Sequence, residues 1–226
     1  MTSKATSRKP MYLVETVFDI VYLLTVFIAS AMLCLTGRLG SVRFAFGGMG
    51  LLLGVGDSFH LVPRLLAMWD TGDRDYAVSL GRGKQIASVT MTVFYVILWQ
   101  SLVRHYTGLS IEFMSGIVYL LATVRIVLCF FRQNHWNSKE QPLTWGIWRN
   151  LPFAAIGALV VWLAAAGALQ VQDGLSFLWL AVLISFACYL PVVLFVGKNP
   201  KLGMLMLPKS CAYAAIILMG FSLPIQ

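Results

Sequence analysis

The stretch Phe44 to Trp69, FAFGGMGLLLGVGDSFHLVPRLLAMW, decides how the chain is read. Its apolar run is long enough to cross a bilayer, which takes about 20 helical residues. Yet Asp57, His60 and Arg64 lie inside it. A charge at the centre of a hydrocarbon core costs about 2.5–3.5 kcal/mol even on lenient scales, so such residues face a bundle interior and mark function. Six further segments have the same character, giving spans Met11–Leu35, Phe44–Trp69, Gln85–Val103, Leu109–Phe131, Leu151–Leu169, Leu175–Val196 and Met204–Leu223. Turn signals separate them at 37–40, 71–73, 107–108, 172–174 and 198–200. The expected fold is all-α: one domain over residues 1–226, a polytopic seven-helix bundle.

Composition agrees. Of 226 residues, 59% are hydrophobic and 12% charged, about half the charge of an ordinary soluble domain. The net charge of +8 comes from basic residues scattered through short loops without interleaved aromatics, which argues against nucleic acid and for contact with anionic lipid. Cys34, Cys129, Cys188 and Cys211 lie in apolar spans without metal-ligand spacing and read as small buried side chains. The basic N-terminus resembles a signal peptide, but the apolar run behind it is too long and carries Glu15 and Asp19, so a retained first helix is expected. The segment 132–150, with His135, Trp136, Trp145 and Trp148, reads as an interfacial loop with an aromatic belt.

Lys and Arg partition unequally between the two sides. One side receives Lys4, Arg8, Lys9, Arg74, Arg82, Lys84, Arg132, Lys139, Arg149, Lys198 and Lys201; the other receives Arg38, Arg43 and Arg104. The positive-inside rule then predicts a multi-pass cell-membrane protein with a cytoplasmic N-terminus and an external C-terminus.

At 1.5 Å per residue the buried charges share a depth. Glu15 and Asp19 lie about 6 and 12 Å from the cytoplasmic end, Arg64, His60 and Asp57 about 8, 14 and 18 Å, and Arg125 and Lys209 about 9 and 8 Å. Glu112 falls at the outer edge and reads as interfacial. The spacings Glu15/Asp19, Asp57/His60/Arg64 and Lys209/Tyr213 put each set on one helix face. Glu15, Asp19 and Asp57 can neutralise Arg64, Arg125 and Lys209. Ser58, Ser88, Thr92, Tyr189 and Ser210 can add hydrogen bonds, and Pro63, Pro191 and Pro208 can free backbone carbonyls. Gly50 and Gly54 have the spacing that lets helices pack closely, which makes the second helix central.

The segment Gly54-Val55-Gly56-Asp57-Ser58-Phe59-His60 resembles the second-helix motif of the superfamily uniting alkaline ceramidases, progestin and adiponectin receptors and related membrane hydrolases. Glu15-Thr16-Val17-Phe18-Asp19 is similar to its first-helix Glu-x-x-x-Asn pattern, with Asp in place of Asn. The resemblance implies a zinc site at His60, assisted by Ser58, that cleaves a lipid amide or ester with metal-activated water. The family's seventh-helix His-x-x-x-His is missing: Pro208-Lys209-Ser210-Cys211-Ala212-Tyr213 stands there. Asp57, Asp19 and Cys211 are the other candidate ligands, with Lys209 opposing a metal.

Three functional readings follow. One is a cavity lined by Glu15, Asp19, Asp57, Ser58, His60, Arg64, Arg125, Tyr189, Lys209 and Tyr213 that binds or transports a polar or anionic small molecule or lipid headgroup. Another is the metal-dependent lipid hydrolase, or a metal-free relative of it. The third makes Lys209 a Schiff-base lysine for retinal, and ranks below the others because Lys209 sits near a helix end. A purely structural or assembly role is the bland alternative.

Overall fold

The computed structural model describes residues 9–72, 74–106, 111–138, 141–197 and 199–225. Lys4, Arg8, Asp73, Thr107, Gly108, Leu109, Lys139 and Lys198, named above for turns, a span boundary or loop charge, lie outside them. The described residues form seven long helices and no strand: α1 Lys9–Thr36, α2 Val42–Trp69, α3 Ala77–His105, α4 Glu112–Phe130, α5 Leu143–Gln170, α6 Leu178–Phe195 and α7 Met206–Met219. Short 3₁₀ turns follow α4 (Arg132–Asn134), precede α7 (Pro200–Leu205) and end it (Gly220–Ser222). Seven segments are long and apolar enough to cross a membrane, α7 together with its flanking turns.

Each helix packs on the next in sequence and α7 returns to α1, closing the bundle, while α3 reaches across to α5 and α2 to α7. Both α2 and α3 lie deep in it. Phe94, Tyr95, Leu98, Trp99 and Leu102 of α3 are fully buried, as are Ile156, Val160 and Leu163 of α5 and Ile216 and Ile217 of α7. The opposite faces are apolar as well. Leu13, Val17, Ile20, Leu24, Ile28 and Leu35 form an exposed stripe along α1, the arrangement expected where lipid rather than water is the solvent.

Two span boundaries shift most. The third helix begins at Ala77 rather than Gln85, and the fifth at Leu143 rather than Leu151. In the first case the polar run Gly81-Arg82-Gly83-Lys84 lowers hydropathy but not helicity. Gly81 and Gly83 meet backbone: a Cβ would overlap the Trp136 carbonyl at Gly81 and the Phe59 carbonyl at Gly83. Phe59 lies four residues before Pro63, inside α2, so proline withholds the N–H that would have bonded this carbonyl. The freed oxygen leans onto Gly83, which brings α2 and α3 together beside His60.

In the second case the expected loop 132–150 is a helix from Leu143 onward, with Trp145 and Trp148 on it. Its polar residues find local partners. Arg149 donates to Asn134 Oδ1 (2.9 Å) and lies 4.1 Å from the centre of the Trp136 ring, while Trp136 donates to the Cys129 carbonyl (2.9 Å). Pro208 stands in the first turn of α7, which continues directly from the 3₁₀ turn Pro200–Leu205. Gly50 packs on Ser30 and Ile217, and Gly54 on Phe27 and Val26, as the spacing predicted. Cys211 is exposed rather than buried, and Cys34 and Cys188 are half-buried.

Candidate functional site

The face of α1 that carries Glu15 and Asp19 continues one turn further to Tyr22, and it looks onto Asp57 and Arg64 of α2. Glu15 and Arg64 form an ion pair, both side chains partly exposed. Asp19 is buried, with Oδ2 unpartnered, within electrostatic reach of Arg64, Glu15 and Asp57. Deeper in, Tyr22 donates to Asp57 Oδ2 at 2.6 Å. Tyr22 is 4% exposed, and a phenol on a carboxylate is among the stronger hydrogen bonds. It holds Asp57 in one orientation.

Across the interior, among the described residues, neither Arg125 nor Lys209 has a carboxylate at ion-pair distance. Arg125 is 1% exposed; its guanidinium carbon lies 3.3 Å from the centre of the Phe153 ring, and Nε and Nη1 have no hydrogen-bond acceptor. Lys209 Nζ lies 5.3 and 5.0 Å from the ring centres of Tyr189 and Tyr213, within electrostatic reach of both Asp57 and Arg125. Among the described residues Glu15–Arg64 is the one Lys or Arg ion pair. Full mutual neutralisation of three acids by three bases, as expected from the sequence, is therefore not what the side chains do. Rings, which attract a cation by their quadrupole, stand where counter-ions would.

Polar groups gather around these two cations. Tyr189 donates to Asn150 Oδ1 at 2.7 Å, and Asn150 Nδ2 donates to the Gly146 carbonyl at 2.8 Å. The Tyr95 hydroxyl and Ser185 Oγ are buried and cluster with the Tyr213 hydroxyl, and Tyr95 stacks edge-on against Phe153, Phe186 and Tyr213. Buried donors without acceptors are uncommon, and Arg125 keeps two of them beside these hydroxyls. That combination suits an anion.

The remaining predicted residues sort differently. Ser58 donates to the carbonyl of Gly54, Ser88 to that of Lys84 and Thr92 to that of Ser88, so these hydroxyl protons are spent within their own helices. His60 is half-buried, with Nδ1 unpartnered and Lys84, Arg64 and Lys209 around it. Three cationic neighbours oppose a divalent metal. Among the described residues no three of His, Cys, Asp and Glu converge as a ligand set, whereas zinc takes at least three. The residues present do not fit a zinc site.

Tyr22, Tyr95, Asn150, Phe153 and Ser185 were not singled out by sequence reasoning. A signal existed for Tyr22, three residues after Asp19 on the same face. Asn150 escaped because the span expected from Leu151 begins at Leu143, so Asn150 lies inside the helix rather than in the loop. No protein-family profile, curated protein or solved structure matches the chain.

Proposed function

We propose that this is a multi-pass cell-membrane protein that binds or passes a small anion, or an anionic lipid headgroup, between α4, α5, α6 and α7. One observation carries the reading: buried Arg125 keeps Nε and Nη1 without an acceptor, and among the described residues neither it nor nearby Lys209 has a carboxylate at ion-pair distance. Arg125 supplies a planar fork for carboxylate or phosphate, and Lys209 a point charge. Asp57, held by Tyr22 and facing Lys209, is the group placed to exchange a proton with a passing ligand. The unequal partition of Lys and Arg supports a cytoplasmic N-terminus, and with it a site in the cytoplasmic half.

The test is thermal unfolding of purified protein in phosphate, sulfate or citrate against chloride at matched ionic strength. At least one anion raises Tm in a saturable way, and the effect disappears in Arg125→Met and Lys209→Met. A flat response, or one that survives both substitutions, overturns the reading. The hydrolase reading draws no support from the geometry; stoichiometric zinc lost in His60→Ala would restore it.

A further inference from the structure

A second cationic feature lies at the end of the bundle where α3 begins and α4 ends. There a cavity of ≈ 410 Å³ is lined by Arg82 and Gln85 of α3, Phe130, Phe131 and Arg132 at the end of α4, and the segment His135 to Ser138. Among the described residues its lining contains two guanidiniums and no carboxylate. Arg82 and Arg132 are exposed and form no ion pair with a described residue. The wall behind them is rigid and already satisfied. Gln85 Nε2 and the Trp136 indole both donate to the Cys129 carbonyl, and Arg149 stacks on the other side of the enclosure, against Trp136. Phe130 is 66% and Phe131 43% exposed, at the last residue of a membrane-crossing helix and the one after it. The cavity thus has a cationic mouth at the helix ends and an aromatic, lipid-facing lip.

An apolar crevice on the opposite flank, lined by Val21, Leu24, Ile28 and Phe221 among others, has no charged residue. Acyl chains fill such a surface without selection. The α3/α4 cavity differs because its charge selects a headgroup.

We infer that this cavity is a binding site for an anionic phospholipid, with Arg82 and Arg132 on the phosphate and the first acyl segments against Phe130 and Phe131. Two guanidiniums can each offer a fork of N–H donors to phosphate oxygens. Basic pockets between helices at a membrane surface recognise anionic headgroups by this chemistry. The inference rests on the chain spanning a bilayer, but not on the interior anion site at Arg125.

The experiment is native mass spectrometry of the protein exchanged into micelles holding equal phosphatidylglycerol and phosphatidylcholine. The expected result is one retained phosphatidylglycerol, favoured roughly tenfold or more over phosphatidylcholine. Arg82→Gln/Arg132→Gln abolishes the preference. Arg74→Gln/Lys201→Gln, an equal loss of exposed charge outside the cavity, leaves it intact, as does Arg125→Met. Millimolar inorganic phosphate does not displace the lipid. Equal losses in both double variants would reduce the effect to general surface charge and overturn the inference. Displacement by inorganic phosphate would overturn it in favour of a soluble phosphate. Loss in Arg125→Met alone would assign the lipid to the interior and overturn it too, while leaving the interior site standing.

Discussion

Arg43 and Arg125 are both withdrawn from their surroundings, 5% and 1% exposed, near opposite ends of the bundle. Arg43, in the first turn of α2, donates Nε to Thr36 Oγ1 (3.0 Å) and Nη1 to the carbonyls of Phe221 (3.1 Å) and Leu223 (2.6 Å). Those carbonyls follow the end of α7, where backbone acceptors lack helical partners and a cation is favoured. Arg43 thus ties α1, α2 and α7 together and finishes the hydrogen bonding of a terminus. Arg125 lies over a phenyl ring with donors to spare. The same side chain is a structural tie in one place and an unsatisfied binding group in the other; what differs is the supply of acceptors.

Substitution at these two positions separates the roles. Arg43→Met strands the Phe221 and Leu223 carbonyls, so it lowers stability by about 3 kcal/mol, read as an earlier midpoint in a detergent denaturation series. An unchanged midpoint would erase the distinction between the two arginines. Phe153→Leu removes the ring beneath Arg125 and costs about 2 kcal/mol. In an Arg125→Met background that cost shrinks, because part of it is the coupling between the pair; a cycle with no coupling would show that the ring only fills space.

Arg125→Met alone, measured without added anion, is neutral or raises stability by up to about 2 kcal/mol, since it removes an uncompensated charge. A loss as large as that of Arg43→Met would show that Arg125 is structural after all. The smallest effect concerns pH at the α2–α3 turn, outside the spans. There the Gly72 N–H and the Tyr76 hydroxyl donate to Asp70 (2.8 and 2.9 Å) and hold its carboxyl below the ordinary range. A depressed carboxylate stabilises above its unfolded pKa and loses that contribution as pH falls through the folded value. The Gly72 amide shift, which reports on Asp70 directly, therefore stays constant from neutral pH to about 4 and moves only below it; movement centred at or above the free-peptide value would contradict this.

The fold was largely legible because lipid imposes a local code: a helix satisfies its own backbone, so about 20 apolar residues suffice to mark a crossing. That code failed where polar residues continue a helix. Gly81-Arg82-Gly83-Lys84 and Trp148-Arg149-Asn150 read as loop, yet backbone approach at the glycines and the Asn134–Arg149–Trp136 cluster keep both segments helical. The site was legible in part. Helical spacing grouped Glu15 with Asp19, Asp57 with Arg64, and Lys209 with Tyr213, while the Glu15–Arg64 pair emerged only in the structure. Spacing carries no information about which acid meets which base. Nothing in the order of residues announced that Arg125 would find Phe153 instead of Asp57, or that Tyr22 would reach the Asp57 carboxylate first.

Taken alone, the order of residues determined that seven apolar helices form and which of their charges share a helix face, because hydropathy and the turn of a helix are properties of neighbouring residues. Only the tertiary structure decided which charges are paired, which rest on aromatic faces, and where basic side chains enclose a cavity. Those outcomes turn on the rotation and closeness of helices far apart in the chain, set by contacts such as the proline-freed Phe59 carbonyl against Gly83.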